Sequence, residues 1–232
     1  MEIIAEIGQN HNGDMGLAVE MIHAAKENGA DVVKFQLYNA RKLFPVDNNP
    51  WYEYNCKTEL SRGQVGMLAE ESRKAGIEFM ASVFDLSRVE WLEELGVRRH
   101  KVASRSIYDN QLIERLILTG KPLLVSLGMW NKDGFPEIRT SANVDFLYCV
   151  SKYPTLLEDV KLGRVDFTKY SGFSDHTIGI AASVAALARG ARIIEKHFTL
   201  DKTMYGPDHI CSIMPGELLA IDSFRKDIMR LL

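Results

Sequence analysis

Cysteine is scarce in this chain. Cys56, Cys149 and Cys211 are three in 232 residues, far apart and in no CxxC pairing. An odd, scattered set gives no disulfide framework and reads as free thiols in a reducing cytoplasm. Long apolar runs are also missing, since no stretch approaches the roughly 18 uninterrupted residues a membrane span needs. The start, MEIIAEIGQNHNGD, has no basic n-region, and Glu2 and Glu6 interrupt its apolar run, which argues against a signal peptide. Neither sign of charge dominates: 28 Lys and Arg stand against 31 Asp and Glu, a net charge of −3. Nothing there recruits nucleic acid or an anionic membrane, and an anionic small substrate would need a local basic pocket. No G-x-G-x-x-G follows the first apolar run, which weakens a dinucleotide-binding reading.

What is present is an alternation of short β-rich runs with helical patterns, at 46% hydrophobic and 25% charged residues. Strands are expected at 2–8, 31–37, 77–83, 99–104, 121–127, 144–150, 170–175 and 191–198. Helical stretches follow them, such as 15–29 and 65–76. Gly29, Gly76, Gly120 and Gly190 close several of these where a left-handed C′ residue is expected. Eight strand–helix pairs in a length near the usual ~250 residues predict an α/β fold, a closed (β/α)8 TIM barrel, with 1–232 as a single domain. The irregular stretch 38–62 is too long for an idle connection and suggests a functional lid.

Strand parity sharpens this. In a parallel barrel alternate residues point inward, and active sites lie at the C-terminal strand ends. Ile3, Ala5 and Ile7 fit the helix-facing set, leaving Glu6 inside; Val33, Phe35 and Leu37 likewise leave Lys34 and Gln36 inside. The same count places Ser82, Lys101, Ser126, Ser174, His176, Glu195 and His197 inside. So many polar groups, if unsatisfied, would cost several kcal/mol. They are better explained as the lining of one wet, ligand-binding mouth.

Taken singly, His176 or His197 reads as a structural hydrogen-bonding residue. At the ends of adjacent strands, roughly 4.8 Å apart, the two imidazoles could instead share a divalent cation, with oxygen donors from water and substrate suiting Mn²⁺, Fe²⁺ or Zn²⁺. Lys34 and Lys101 read either as buried ion pairs with Glu6 or Glu195, or as a phosphate or carboxylate clamp aided by Ser104, Ser126 and Ser174. A Schiff-base lysine is a third option. Glu6 is either a plain partner for Lys34 or a general base. GPDH at 206–209 reads as a turn from which Asp208 could reach a ligand.

The segments AEIGQNHNGD (5–14), GADVVKFQ (29–36), KVAS (101–104), LVSLGM (124–129), YP (153–154), GFSDHTIGI (172–180) and GARIIEKHFTLDK…GPDH (190–209) closely resemble the sialic acid synthase family. That family comprises the N-acetylneuraminate, legionaminate and pseudaminate synthases. The resemblance implies a cytoplasmic transferase of carbohydrate biosynthesis that condenses phosphoenolpyruvate with an open-chain N-acetylated hexosamine-type sugar. Its products are a nine-carbon 2-keto acid and phosphate. It implies His176 and His197 as metal ligands, typically for manganese, and Glu6 as the acid/base carboxylate. Phosphoenolpyruvate falls to Lys34, Lys101, Ser104, Ser126, Tyr153 and Ser174, with Ser151 standing where a polar residue contacts it in some members. The sugar hydroxyls fall to Gln36, Ser82, Tyr153 and Asp208.

Departures from the family pattern lie mostly on the sugar side. SRS (104–106) replaces SGE or SGD, SLGM replaces STGM, and SVF replaces TPF. Family members usually continue into a small antifreeze-like domain. This chain reads as the barrel alone, so a homodimer or a separate antifreeze-like partner chain is the expected companion. The alternative is a non-catalytic or split-subunit barrel that binds phosphoenolpyruvate or a sugar and needs that partner.

Overall fold

The structure, a computed structural model, describes residues 1–44 and 46–231. Eight parallel strands close into one barrel in sequence order. They are β1 (Glu2–Gly8), β2 (Val32–Leu37), β3 (Glu78–Val83), β4 (His100–Val102), β5 (Leu123–Ser126), β6 (Val144–Cys149), β7 (Gly172–Asp175) and β8 (Ile193–His197). All eight expected strands are there, trimmed by a residue or more at most ends.

Parity holds as read. Ile3, Ala5, Ile7, Val33, Phe35 and Leu37 pack outward into the layer between barrel and helices. Inside, Ile4, Val32, Met80, Leu124, Leu147 and Ile193 form a separate apolar plug. Burying such side chains gains about 1.5–3 kcal/mol each, so the lower barrel is a sealed floor. The polar inward residues stand above it, toward the C-terminal strand ends.

Helix termini follow local chemistry. Asp14 accepts hydrogen bonds from the backbone N–H of Gly16 and Leu17 and starts the helix Met15–Glu27. The helix Arg62–Ala75 begins earlier than its apolar spacing suggests, because Ser61 and Gln64 form a capping box. Gly76 ends that helix in the left-handed region, at φ 68°.

Two connections differ from expectation. Between β5 and β6 no helix forms; 127–143 is irregular, and Trp130, Phe135 and Ile138 pack against the core in its place. Gly128, Gly134 and Pro136 lie in that stretch, and glycine and proline interiors disfavour a helix. The stretch 38–62 is not a loose lid. It contains helices Ala40–Leu43 and Tyr52–Thr58. Gln9 Nε2 donates to Tyr38 Oη, Asn55 Oδ1 and Thr58 Oγ1 at 2.5, 2.9 and 3.3 Å, while Tyr54 Oη donates to Gln9 O and Asn12 Oδ1. Those bonds tie it to the loop after β1 as a wall.

Candidate active site

Register assembles the site. Glu6 on β1 pairs with Lys34 on β2 and with His197 on β8; Ser82 pairs with Lys101, and Ser174 with Glu195. Together with Gln36, Ser104, Tyr153 and His176 these residues line one pocket of about 60 Å³ at the C-terminal strand ends. It adjoins an outer cavity of about 640 Å³, with which it shares Gln36, Ser104, Tyr153 and His197. Ser151 and Asp208 line the outer cavity, not the inner pocket. Ser126, expected against substrate, lies beneath Lys101 and accepts its ammonium at 2.7 Å. It lines neither space and acts through that lysine.

The charges form one buried network. Lys34 Nζ stands 2.8 Å from Glu6 Oε2 and 3.6 Å from Glu195 Oε2, and donates to Ser82 Oγ at 3.1 Å. Lys101 Nζ is 3.6 Å from Glu195 Oε1. Gln36 Nε2 donates to Glu6 Oε1, and Ser174 Oγ donates to Glu195 Oε1. Burial by itself would push Glu195 up, but Lys101 and Lys34 overcome it and hold the carboxyl down at about 2. Glu6 shares only Lys34, and burial dominates there, raising its pKa. Burial opposes charge on Lys34 too, yet Glu195 and Glu6 outweigh it and raise its pKa. Lys101 is lowered, by burial first. The two carboxyls are thus driven apart, Glu195 held down by two lysines and Glu6 raised by burial, a split of the kind acid–base sites use.

Above this layer the rings of His176 and His197 lie 5.5 Å apart. His176 Nδ1 is 2.9 Å from Val150 O and so carries a proton. Burial opposes charge on this ring, yet Cys149 and that carbonyl outweigh it and raise its pKa. In its neutral form Nε2 keeps its lone pair. Burial, then His176 and Lys34, hold His197 well below its ordinary value, so it is neutral. Its Nδ1 is buried without a hydrogen-bond partner and sits 3.9 Å from Asp208 Oδ2. Burial and then Glu6 push Asp208 up to about 6. Among the described residues no group of three or more His, Cys, Asp or Glu could hold a metal ion by itself. A cation here would have two protein nitrogens and take the rest of its shell from water and substrate.

Part of the unspent buried bonding capacity of the described residues lies here. Ser151 Oγ and His197 Nδ1 are buried without partners. Glu6 Oε2 and Glu195 Oε2 are ion-paired yet complete no hydrogen bond. Such atoms are rare in folded interiors unless something else binds them. A larger cavity of about 810 Å³ lies at the opposite end of the barrel, against Glu2, Asp31 and Glu78. Two of its acids are already paired with Arg99, and its described lining holds no histidine or lysine, so the smaller pocket is the candidate site.

Sequence reasoning missed several lining residues. Cys149, read only as a free thiol, faces the inner pocket with Sγ 3.8 Å from His176 Nδ1; its inward parity with Leu147 was the available signal. Phe44 and Trp51 line the outer cavity from an irregular stretch that has no periodicity to read. Asp175 and Lys196, between the site residues of SDHT and EKH, face the opposite way. Both are fully buried and lie 3.1 Å apart. Lys196 Nζ donates to Thr177 O, and Asp175 accepts from Thr177 N and Ser183 Oγ. Lys196→Met strands a buried carboxylate, so urea unfolding should show a loss of about 3–5 kcal/mol. An unchanged midpoint would remove the pair from the fold's supports.

The sequence model of the NeuB family matches residues 21–230. The chain belongs to the NeuB family. Relatives of this NeuB chain include the N-acetylneuraminate-9-phosphate synthase of Homo sapiens, 39% identical over 239 residues, which cover 93% of this chain and 67% of that protein. The N,N'-diacetyllegionaminic acid synthase of Legionella pneumophila is 37% identical over 247 residues, covering 93% and 68%. Among solved structures, an N-acetylneuraminic acid synthetase from Leptospira borgpetersenii in complex with citrate superposes with a TM-score of 0.92 at 33% identity, covering 99% of the NeuB chain and 84% of its own. No helix among the described residues is long and apolar enough to cross a membrane.

Proposed function

We propose that this chain condenses phosphoenolpyruvate with an open-chain N-acetylated hexosamine-type aldehyde, giving a nine-carbon 2-keto sugar acid and phosphate, with Mn²⁺ as its metal. The observation that carries the reading is the convergence of two buried lysines, the Glu6 carboxyl and two facing histidines at one set of strand ends. The printed activities of the human and Legionella relatives belong to the same reaction class.

The residues fit a divalent ion. His176 Nε2 and the unpartnered His197 nitrogen are the two donors that would hold it. Bound there, the ion supplies Lewis-acid polarisation of the aldehyde oxygen. Lys34 and Lys101, with the Ser104 and Ser174 hydroxyls, bind the phosphate and carboxylate of phosphoenolpyruvate, Ser126 holding Lys101 in place. Gln36, Ser82, Tyr153, Ser151 and Asp208 orient the sugar. The enol carbon of phosphoenolpyruvate bonds to the aldehyde carbon, water adds its oxygen at C2, and the C2–O bond to phosphate breaks. Glu6, kept protonatable by burial, moves the proton of the water or the sugar hydroxyl.

A phosphate-release assay with Mn²⁺, phosphoenolpyruvate and a panel of N-acetyl hexosamines tests the reading. No turnover with any acceptor, together with no calorimetric binding of phosphoenolpyruvate, would overturn it. Within that assay Glu6→Gln should lower kcat about 10²–10³-fold while phosphoenolpyruvate binds nearly as before. Unchanged turnover takes the proton-transfer role away from Glu6.

A further inference from the structure

Arg105 sits at the mouth of the site with no acid beside it. It occupies the 3₁₀ turn Ser104–Ser106 that follows β4, and it lines the outer cavity with Gln36, Ser151, Tyr153, His197 and Asp208. Its guanidinium carbon lies 5.2 Å from the ring centre of Phe44 and 5.9 Å from that of Phe84. Among the described residues no carboxylate, hydroxyl or carbonyl takes a hydrogen bond from it. Aromatic faces hold a cation without using its N–H hydrogens. The planar fork that matches phosphate and carboxylate oxygens is therefore kept in place with its donors unspent.

Position gives this a direction. Ser104 lines both the inner pocket and the outer cavity, and Arg105 lies on the outer side of it. A molecule whose reacting end lies at His197 and whose tail runs into the outer cavity shares that cavity with Ser104 and Arg105. The buried Ser151 hydroxyl, also unpartnered, lies in the same wall. Asp208 is the only carboxylate in the described lining of that cavity, and it stands at the His197 end. A neutral sugar tail would leave the guanidinium unused, whereas an anionic tail would not. The overall charge of −3 gives no general attraction for an anion, so the recognition has to be local.

We propose that Arg105 is a specificity-determining residue and that the acceptor is an N-acylated aldose bearing an anionic group, a phosphate ester or a carboxylate, at the end remote from its aldehyde. This rests on the reading of the site as a phosphoenolpyruvate-dependent synthase.

The test compares three acceptors on the intact protein with Mn²⁺ and phosphoenolpyruvate: an N-acetyl hexosamine, its 6-phosphate and the corresponding uronic acid. One anionic acceptor should exceed the neutral one in kcat/KM, and which of the two does so distinguishes phosphate from carboxylate. Arg105→Ala should collapse that anionic-over-neutral ratio about 10- to 100-fold, mainly through KM. Arg105→Lys should recover part of it, Arg105→Glu should invert it, and added salt should shrink it in wild type only. A wild-type preference for the neutral sugar, or equal losses on all three acceptors in Arg105→Ala, overturns the proposal. If no acceptor turns over, the synthase reading is what fails. Calorimetric titration of the sugar phosphate and the uronic acid into wild type and Arg105→Ala then decides separately, and equal binding by both proteins removes Arg105 from anion recognition.

Discussion

Lys101→Met and Lys34→Met are expected to weaken phosphoenolpyruvate binding to a similar degree, about 10²–10³-fold, and to part company in stability. Lys34 is the shared counter-ion of Glu6 and Glu195, whereas Lys101 faces Glu195 alone. Removing Lys34 leaves Glu6 with no cation and Glu195 with one, inside a site only a few per cent exposed. Breaking a buried pair in this way costs about 3–5 kcal/mol. Removing Lys101 leaves Glu195 its second lysine and relieves an ammonium whose charge burial already disfavours. Its cost should be about 2 kcal/mol or less, mostly the lost bond to Ser126. Titration calorimetry and urea unfolding of the two variants check both halves. Equal stability losses would mean the lysines do not divide the carboxylates as the distances indicate.

The second large effect is expected at the histidines. His197→Ala should lower phosphate release about 10⁴-fold, the scale of several kcal/mol of Lewis-acid assistance. It should also abolish tight Mn²⁺ binding followed by electron paramagnetic resonance. Wild type should gain about 2.7 kcal/mol of stability when Mn²⁺ is present at 100 times its Kd, and the variant none. His197 Nδ1 has no hydrogen bond to lose, so a folded variant is expected. His176→Ala should show the same loss of metal while also freeing Val150 O. Normal Mn²⁺ binding by both variants would sink the two-histidine reading. Chelation of the wild type should stop turnover, and added Mn²⁺ should restore it.

Much of this is legible in the sequence. Period-2 patterning in the strands reports which side of a barrel wall each residue faces, because the two sides differ in chemistry. Glu6, Lys34, Lys101, Ser174 and Glu195 therefore declared themselves as inward polar groups. Other features carry no such period. Arg105, Phe44 and Trp51 sit on turns and irregular segments, where facing is set by the path of the whole chain. The depth of Ser126 relative to Lys101 was also hidden, since parity gives the side of the wall and not the layer. Lys196 faces the helices, where a lysine is ordinarily exposed, and its partner Asp175, 21 residues earlier, accounts for its burial.

That buried pair has a mechanical consequence. Asp175 and Lys196 each immediately precede one of the two facing histidines, and their contact fastens β7 to β8 from behind. The gap between the imidazoles is therefore fixed by the barrel wall before any ligand arrives. The two rings behave as a rigid jaw of preset width rather than a clamp that closes. A ligand entering it loses little freedom in gathering its donors, and ligands can exchange without the strands having to part.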